Sequence, residues 1–465
     1  MARPDFDSAT LAFMKWYTAL PGATFCDSIE MADLRSQNAG RGIVATRDIP
    51  ADTTLFTIPR KAILSIETTA LRSHMPHIFE DLGNAEKEQA LDSWSALILT
   101  LMYEHFLGGA SPWKSYMDVL PESFDTPMFW SSQELQMLQG SSMISKIGKD
   151  EAEGMFRAKL LPAIRSRPDV FTSSSEYSDE QLIQLAHRMG STIMAYAFDL
   201  ENEDENDDNE DGWVEDRDGK SLMGMVPMAD MLNADAEFNA HVNHGDDSLT
   251  VTSLRPIKAG EEILNYYGPH PNSELLRRYG YVTEKHSRYD VVEIPWSLVE
   301  EAIITRLGVS EFTLKQARER IESEDFEDTF VLERESGEPA PDGTLPDRAG
   351  FAEMPDDLQD QLKLLLKTLE KVDSTLAKDK KSRQQAQGLV LAHCIQTIEL
   401  RFLTGVSEDL SLLKQENLPY RQRMAIKVRL GEKKLLEEAK ATLSVAFEDV
   451  MDQDAGPRKK ARHAV

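Results

Sequence analysis

The strongest constraint on the fold comes from residues 223–282, in which short apolar segments alternate with turns. Residues 249–254 alternate apolar and hydroxyl side chains, which is typical of a half-buried strand. Residues 262–267 predict a second strand that ends at Gly268, and a short helix then ends in Tyr-Gly-Tyr at residues 279–281. This stretch therefore predicts a β-rich unit made of short strands.

The rest of the chain changes from strands to helices along its length. Helical spacing of apolar residues predicts helices over 92–106, 180–198, 296–307, 311–322, 356–376, 384–403 and 420–452. Asp92 and Ser131 stand where helix N-caps are expected. We therefore expect an α+β protein with these units: an N-terminal helix (1–23), a β-rich domain (24–290) with a helical insert (about 68–195), an all-α C-terminal domain (295–452) and a basic tail (453–465).

The composition favours a basic partner. The 465 residues include 80 acidic and 51 basic side chains, which give a net charge of −29. Such a charge repels nucleic acid and attracts basic proteins, although it also serves solubility alone. Residues 199–218 hold twelve acidic residues and one basic residue, and we expect a disordered loop there because too little apolar surface is available for burial.

The chain lacks the patterns of several other protein classes. Its apolar runs are far shorter than the roughly 20 residues that cross a bilayer, and its N-terminus lacks the order of a signal peptide. Two cysteines, Cys26 and Cys394, cannot build a Cys-rich zinc site. Neither a phosphate-binding loop nor a GxSxG or HExxH motif is present, so we expect no metal. The basic tail predicts nuclear import, with a cytoplasmic location as the alternative.

Three motifs in order carry a family resemblance. They are Gly40-Arg41-Gly42 followed by VATRDIPADTTLF, then VPMADMLNAD, then GEEILNYYG with the YGYV helix end behind it. In this order they resemble the SET-domain protein-lysine methyltransferases. The helical insert and the helical C-terminal region are similar to those of the Rubisco large-subunit methyltransferase class. Within that class the chain is most similar to the fungal ribosomal-protein lysine methyltransferases and their nuclear animal relatives.

The resemblance implies a cofactor, S-adenosyl-L-methionine, and a role for each matching residue. Tyr267 would be the catalytic tyrosine. Other residues would bind the cofactor: Gly40, Arg41, Gly42, Tyr196, Asn233, Ala234 and Tyr279. Three further residues would lie near the substrate peptide: Trp113, Ala197 and Asp199.

The implied function is methylation of a lysine in a basic protein, with a ribosomal protein as the first candidate. A histone or a transcription factor would suit the same chemistry. A catalytically silent scaffold that binds basic proteins is a further alternative, because the family usually has Asn-His where this chain has Asn233-Ala234. We expect a monomer that binds neither nucleic acid nor a membrane directly.

Overall fold

Helix α1 (Phe6–Thr18) opens the chain, whose computed structural model describes residues 4–79, 91–200, 222–321, 326–346, 348–373 and 380–447. Asp5 caps the helix, since its carboxylate accepts a hydrogen bond of 2.9 Å from the Ser8 amide. The buried face carries Phe13 and Tyr17, and the Tyr17 hydroxyl donates to the Thr57 carbonyl at 2.7 Å. The predicted N-terminal helix is confirmed.

Short strands follow, as predicted. They are β1 (Thr24–Phe25), β2 (Ile29–Asp33), β3 (Arg41–Ala45), β4 (Thr54–Pro59) and β5 (Leu64–Ser65). Strands β2 and β3 form an antiparallel pair in which Asp33 faces Arg41. This pairing places the Gly40-Arg41-Gly42 segment at the start of β3, at the end of a tight loop.

The helical insert comes next, and its helices are α2 (Leu71–His74), α3 (Pro76–Phe79), α4 (Ser93–Leu107), α5 (Lys114–Met117), α6 (Ser132–Leu135), α7 (Lys149–Met155), α8 (Leu161–Ser166) and α9 (Asp179–Tyr196). Helix α4 is buried on nearly every face, which explains why its sequence is apolar almost throughout. The predicted caps are confirmed, because Asp92 accepts from the Ser95 amide and Ser131 forms a capping box with Glu134.

The chain then returns to the strands, with β6 (Ala197–Asp199), β7 (Met223–Met225), β8 (Asn233–Ala234), β9 (Ala240–His244), β10 (Ser248–Ser253), β11 (Leu264–Asn265) and helix α10 (Asn272–Tyr279). One sheet has the order β1-β4-β10-β9, and another has the order β5-β7-β6. The first of these combines strands from before and after the helical insert, so the insert interrupts a single β-rich domain.

The parallel pair of β8 and β11 positions the site. Asn233 lies opposite Leu264, and Ala234 lies opposite Asn265. The strand predicted over 262–267 is reduced to two residues because the segment changes partners. The Ile263 amide bonds the Ile43 carbonyl in β3 at 2.7 Å, whereas Leu264 and Asn265 pair with β8. Residues 40–42, 233–234 and 266–267 are thereby brought together.

The C-terminal region holds β12 (Val292–Pro295), α11 (Trp296–Leu307), α12 (Glu311–Glu319), β13 (Thr329–Leu332), α13 (Asp356–Val372), α14 (Lys380–Glu399), α15 (Val406–Leu413) and α16 (Tyr420–Ala446). The fold class is confirmed, with one detail added. Strand β13 returns to pair with β12, so a two-stranded sheet crosses the expected boundary near residue 295. Helix α15 was not predicted.

The protein has two large apolar cores and a small one between them. One fills the β-rich domain and its insert, and the second fills the C-terminal helices. The small cluster joins the insert to α10 and α16 and contains Trp130, Leu138, Met143, Leu276, Met424, Ala425 and Val428. Helix α16 therefore connects the two halves of the molecule.

Two predictions fall on residues outside the described ranges: the acidic loop beyond Leu200 and the basic tail. Within the described ranges, every helix is too short or too polar to cross a membrane. The same residues contain no group of three or more His, Cys, Asp or Glu side chains placed to hold a metal ion.

Candidate functional site

Five tyrosines from four parts of the chain gather where β8 and β11 end. They are Tyr116 in α5, Tyr196 at the end of α9, Tyr267 after β11, and Tyr279 and Tyr281 at and just after the end of α10. The Tyr267 and Tyr279 rings stack with centroids 4.7 Å apart, and the Tyr279 and Tyr281 centroids are 6.1 Å apart. We call this group the tyrosine cluster.

Tyr267 is anchored through its hydroxyl, which donates to the Leu232 carbonyl at 2.9 Å. Burial raises the pKa of Tyr267 well above its ordinary value, and neighbouring Tyr281, Tyr279, Tyr196 and Asp230 raise it further. The phenol therefore keeps its proton at neutral pH. It acts as a neutral hydrogen-bonding group and cannot serve as a base.

The cluster combines accessible ring surface with desolvated hydroxyl groups. Tyr196, Tyr267, Tyr279 and Tyr281 are each half-buried, so part of every ring remains accessible. Their hydroxyl groups are nevertheless desolvated, since burial raises the pKa of Tyr196 to about 12 and that of Tyr281 well above its ordinary value. Such surroundings suit a largely apolar side chain better than a charged group.

Asp230 lies beside the cluster and was not singled out from the sequence. Its carboxyl accepts a hydrogen bond from the Tyr116 hydroxyl. Burial raises the pKa of Asp230 to about 8, against the lowering effect of this bond and of nearby backbone amides. An acidic residue inside the apolar segment MGMVPMADML was the sequence signal that would have identified it.

Gly42, Asn233 and Glu262 meet on the other side of β8. The Asn233 side-chain amide donates to the Arg41 carbonyl at 3.1 Å and to Glu262 Oε1 at 2.6 Å. A Cβ on Gly42 would lie 2.7 Å from Glu262 Oε1 and 2.9 Å from Asn233 Nδ2. A side chain at this position would displace the Asn233 and Glu262 side chains, and the three residues form one tightly packed floor, which we call the β8 floor.

Gly40 and Arg41 complete the turn before this floor. Gly40 has a φ of +67°, which favours glycine over other residues. The Arg41 side chain points away from Asn233, because its guanidinium donates to the Phe6 and Val119 carbonyls at 3.0 Å each. Only the Arg41 backbone therefore reaches the floor, through the carbonyl that Asn233 binds.

Ala234 contributes its backbone. Its side chain is buried, and its carbonyl accepts a hydrogen bond of 3.2 Å from the Tyr281 hydroxyl. The next residue, Asp235, accepts from the Thr283 hydroxyl at 3.0 Å and lies 3.4 Å from the His286 ring. The turn after β8 is thus held by residues that follow α10.

The residues predicted near the substrate come from two separate parts of the chain. Trp113 is buried, and its indole N–H donates to the Ala62 carbonyl at 2.8 Å. Ala197 and Asp199 lie on β6, which is an edge strand of its three-stranded sheet. The structure brings together Gly42, Asn233, Ala234, Tyr196, Tyr267 and Tyr279, while Trp113 and the Arg41 side chain belong to the surrounding framework.

Two families match the chain. The SET domain family matches residues 40–268, and the Rubisco LSMT substrate-binding family matches residues 314–436. Solved structures of similar shape include that of Rubisco LSMT bound to AdoMet, with a TM-score of 0.63 and 19% identity over 96% of this chain and 93% of that one. Another is the SET domain of LSMT bound to lysine and AdoHcy, with a TM-score of 0.66 and 20% identity over 97% and 94%.

Curated relatives point in the same direction. Ribosomal lysine N-methyltransferase 4 of Saccharomyces cerevisiae is 35% identical over 64% of this chain and 60% of its own length. N-lysine methyltransferase setd6 of Xenopus laevis is 34% identical over 52% and 50%, and human SETD6 is 28% identical over 86% and 84%. The chain thus spans 60% and 50% of the length of the first two relatives.

Proposed function

We propose, from the premise that the chain carries a SET domain followed by a Rubisco LSMT substrate-binding domain, that it is a protein-lysine N-methyltransferase that uses S-adenosylmethionine. The observation that carries the proposal is the meeting of the tyrosine cluster with the β8 floor. The neutral Tyr267 hydroxyl donates to the carbonyl of Leu232, and Leu232 is the residue immediately before Asn233 of the β8 floor.

The residues present suit this cofactor. The floor combines backbone at Gly42 with the Asn233 amide and the half-buried Glu262 carboxylate. These groups complement a molecule with an ammonium and a sulfonium charge. Gly40, Arg41 and Ala234 would contribute backbone atoms, and Tyr196 and Tyr279 would line the junction with the lysine channel. When bound, S-adenosylmethionine supplies the methyl group.

The chain's own part in the reaction is to prepare the lysine amine. A lysine has a pKa of about 10.4, so deprotonation near pH 7 costs roughly 4–5 kcal/mol. The desolvated channel disfavours the charged form and lowers that pKa. The Tyr267 hydroxyl and the carbonyl groups around it orient the neutral amine for in-line attack, and this positioning supplies much of the rate.

The substrate that we propose is a basic protein, with a ribosomal protein as the first candidate. The net charge of −29 favours such a partner, and a relative that is 35% identical is named as a ribosomal lysine methyltransferase. The edge strand β6, which contains Ala197 and Asp199, offers backbone groups to an extended peptide. Trp113 supports this part of the site from the core. We also propose that the protein is a monomer and that it acts in the nucleus. The basic tail supports the nuclear location.

A silent scaffold is the second candidate, and Ala234 is the observation that favours it. Ala234 lacks the imidazole that its family position usually carries, but its carbonyl still binds the Tyr281 hydroxyl at 3.2 Å. The backbone arrangement of the site therefore survives without a histidine ring. This makes an active enzyme the better proposal.

Two tyrosine variants test the proposal. With a ribosomal-protein fraction and labelled cofactor, we expect methyl transfer by the wild type and a loss on the order of 10²-fold or more in Tyr267→Phe. Tyr266→Phe is the matched control, because Tyr266 stacks on Phe238 outside the cluster with centroids 4.6 Å apart. A folded wild type that transfers methyl groups to no basic protein would refute the enzyme. Histone and ribosomal fractions tested side by side would separate the substrate classes.

The cofactor site is tested by calorimetry. Gly42→Ala places a methyl group against Leu34, Asn233 and Glu262, which must shift to admit it, so we expect a marked loss of S-adenosylmethionine affinity. Gly109→Ala is the control, since no heavy atom lies within 4 Å of the added Cβ there. Absence of cofactor binding in the wild type would favour the scaffold.

A further inference from the structure

Asp230 has an unusual environment for a buried carboxyl group. Its side chain is 4% exposed, and it lies in the 3₁₀ turn Ala229–Met231, directly before Leu232, whose carbonyl binds Tyr267. The Tyr116 hydroxyl donates to Oδ2. Among the described residues, no group makes a hydrogen bond of acceptable geometry to Oδ1. A buried acceptor without a partner costs about 1–3 kcal/mol, so its retention needs a reason.

The groups that face Asp230 are all neutral. They are Tyr116 from α5, Tyr196 from the end of α9 and Tyr267 after β11, and the last two are coupled electrostatically to the carboxyl. No cation of the described chain acts on Asp230. Within the part of the chain that the structure describes, Asp230 therefore has no positively charged partner.

The turn that carries Asp230 is strained. Met228 has a φ of +82°, which is unusual for a residue with a Cβ, and the Met228 amide stabilises the Asp230 carboxylate. Strain of this kind persists only where the surrounding structure enforces it, and it concentrates at functional positions. The turn thus holds the carboxyl beside the tyrosine cluster.

We propose that the Asp230 carboxylate accepts the proton that the substrate ammonium must lose before methyl transfer. This rests on the proposed function. One N–H bond of the lysine ammonium breaks, and its electron pair stays on nitrogen as the nucleophile. An O–H bond forms on Oδ1, while the Tyr116 hydroxyl stays bound to Oδ2. The methylated amine leaves as a cation, and the proton on Asp230 passes to water before the next turnover.

The pH profile separates this role from a structural one. Burial raises the pKa of Asp230 to about 8, so the ionised acceptor accumulates as the pH rises toward that value. We expect kcat of the wild type to rise with pH and to level off above about pH 8. In Asp230→Asn, kcat near neutral pH should fall on the order of 10²-fold, and it should keep rising above pH 8 as the bound lysine ammonium itself loses its proton.

Two further variants complete the test. Tyr116→Phe removes the hydrogen bond to Oδ2 and should move the plateau to higher pH, because this bond favours the carboxylate. Glu432→Gln is the matched control: Glu432 is also a buried acid whose pKa burial raises to about 8, but its side chain bonds Ser141 away from the cluster. Its profile should equal that of the wild type.

The outcomes are distinguishable. Asp230→Asn with unchanged cofactor affinity and the predicted loss of the plateau supports the proposal. An Asp230→Asn variant that keeps the wild-type profile, or a Tyr116→Phe variant with no shift, overturns it while leaving the proposed function intact. A wild type that binds no S-adenosylmethionine and transfers no methyl group refutes the proposed function itself. If Asp230→Asn does not fold, the shift in Tyr116→Phe decides.

Discussion

Two buried carboxyl groups, Asp230 in the SET domain and Asp409 in the C-terminal region, have partners of different charge. Asp409 is fully buried in α15 and is held by Arg429 Nη2 at 2.9 Å and Lys433 Nζ at 2.5 Å, both from α16. The Thr404 hydroxyl adds a bond of 2.8 Å. Asp230 has the hydroxyl of Tyr116 instead, and neighbouring tyrosines.

The difference separates a structural role from a functional one. A buried carboxylate between two cations is compensated within the fold, and its removal leaves uncompensated charge. A buried carboxyl among neutral hydroxyls holds a proton near neutral pH and is free to exchange it. The C-terminal region therefore uses buried charge to fasten α15 to α16, whereas the SET domain keeps one carboxyl available beside its tyrosine cluster.

The largest effect on stability is expected from removing the charge of Asp409. Asp409→Asn leaves Arg429 and Lys433 buried without their counter-charge, and we expect unfolding free energy to fall by about 3–5 kcal/mol. Urea unfolding followed by circular dichroism measures this. Thr404→Ala, which removes only the neutral partner, should cost about 1 kcal/mol. Equal losses in the two variants would contradict the charge argument.

A third buried carboxyl group, Asp290, is intermediate between Asp230 and Asp409. It lies between the two halves of the molecule and faces α16. Its Oδ1 accepts from the Asn272 amide at 3.0 Å, and its Oδ2 packs against Gly431, next to Glu432. Burial raises the pKa of Asp290 to about 7 and that of Glu432 to about 8. The charge of Asp290 raises the pKa of Glu432 further, so the two acids disfavour each other's ionisation.

These raised values predict that stability falls with increasing pH. Between the ordinary values of 3.8 and 4.5 and the raised values near 7 and 8, the folded state binds more protons than the unfolded state. Unfolding free energy therefore decreases as pH rises through this window. Asp290→Asn with Glu432→Gln should flatten that decrease and gain about 2–4 kcal/mol near pH 8.

Thermal unfolding at a series of pH values measures the slope. Glu437→Gln is the control, because Glu437 is exposed on the same helix. It should leave the slope unchanged. A double variant that retains the wild-type slope would show that other groups set the pH dependence of stability.

A smaller effect is expected at the β8 floor. Glu262 has the Asn233 amide as partner, and burial raises its pKa. Glu262→Gln keeps an acceptor for Asn233, so stability should change by less than about 1 kcal/mol. Loss of the negative charge should weaken S-adenosylmethionine binding about ten-fold by calorimetry, which equals about 1.4 kcal/mol. Glu261→Gln, an exposed neighbour, should leave the affinity unchanged.

The sequence predicted the secondary-structure elements well, but it predicted much less well which elements and side chains contact each other. Periodicity located α4, α9, α11 and α16, while Asp92 identified the start of α4 and Ser131 that of α6, because these features depend on residues close in the chain. The short length of β11 was not predictable. It arises because one segment changes from β3 to β8 as its partner, and nothing local in the sequence reports a distant strand.

The candidate site shows the same division. Gly42, Asn233 and Tyr267 were identified because family motifs contain them, and the roles implied for them stay predictions. Asp230, Glu262 and Tyr116 were missed, although two of them lie inside the quoted motifs. Their importance depends on the charged and neutral groups that surround them in the folded protein. These surroundings are set by the packing of α5 against β8 and the turn before β8, which the sequence alone does not show.

The change in stability expected at Asp230 has the opposite sign to that expected at Asp409. The pKa of Asp230 is about 8 in the folded state against an ordinary 3.8, so the wild type loses stability as pH rises through that window. Asn does not titrate and keeps an acceptor for Tyr116. For Asp230→Asn we therefore expect the free energy of unfolding near pH 7 to stay unchanged or to rise by up to about 2 kcal/mol. Unfolding in urea at about pH 4 and about pH 8 should show this gain only at the higher pH. A loss comparable to that of Asp409→Asn at both pH values would contradict the contrast between the two sites.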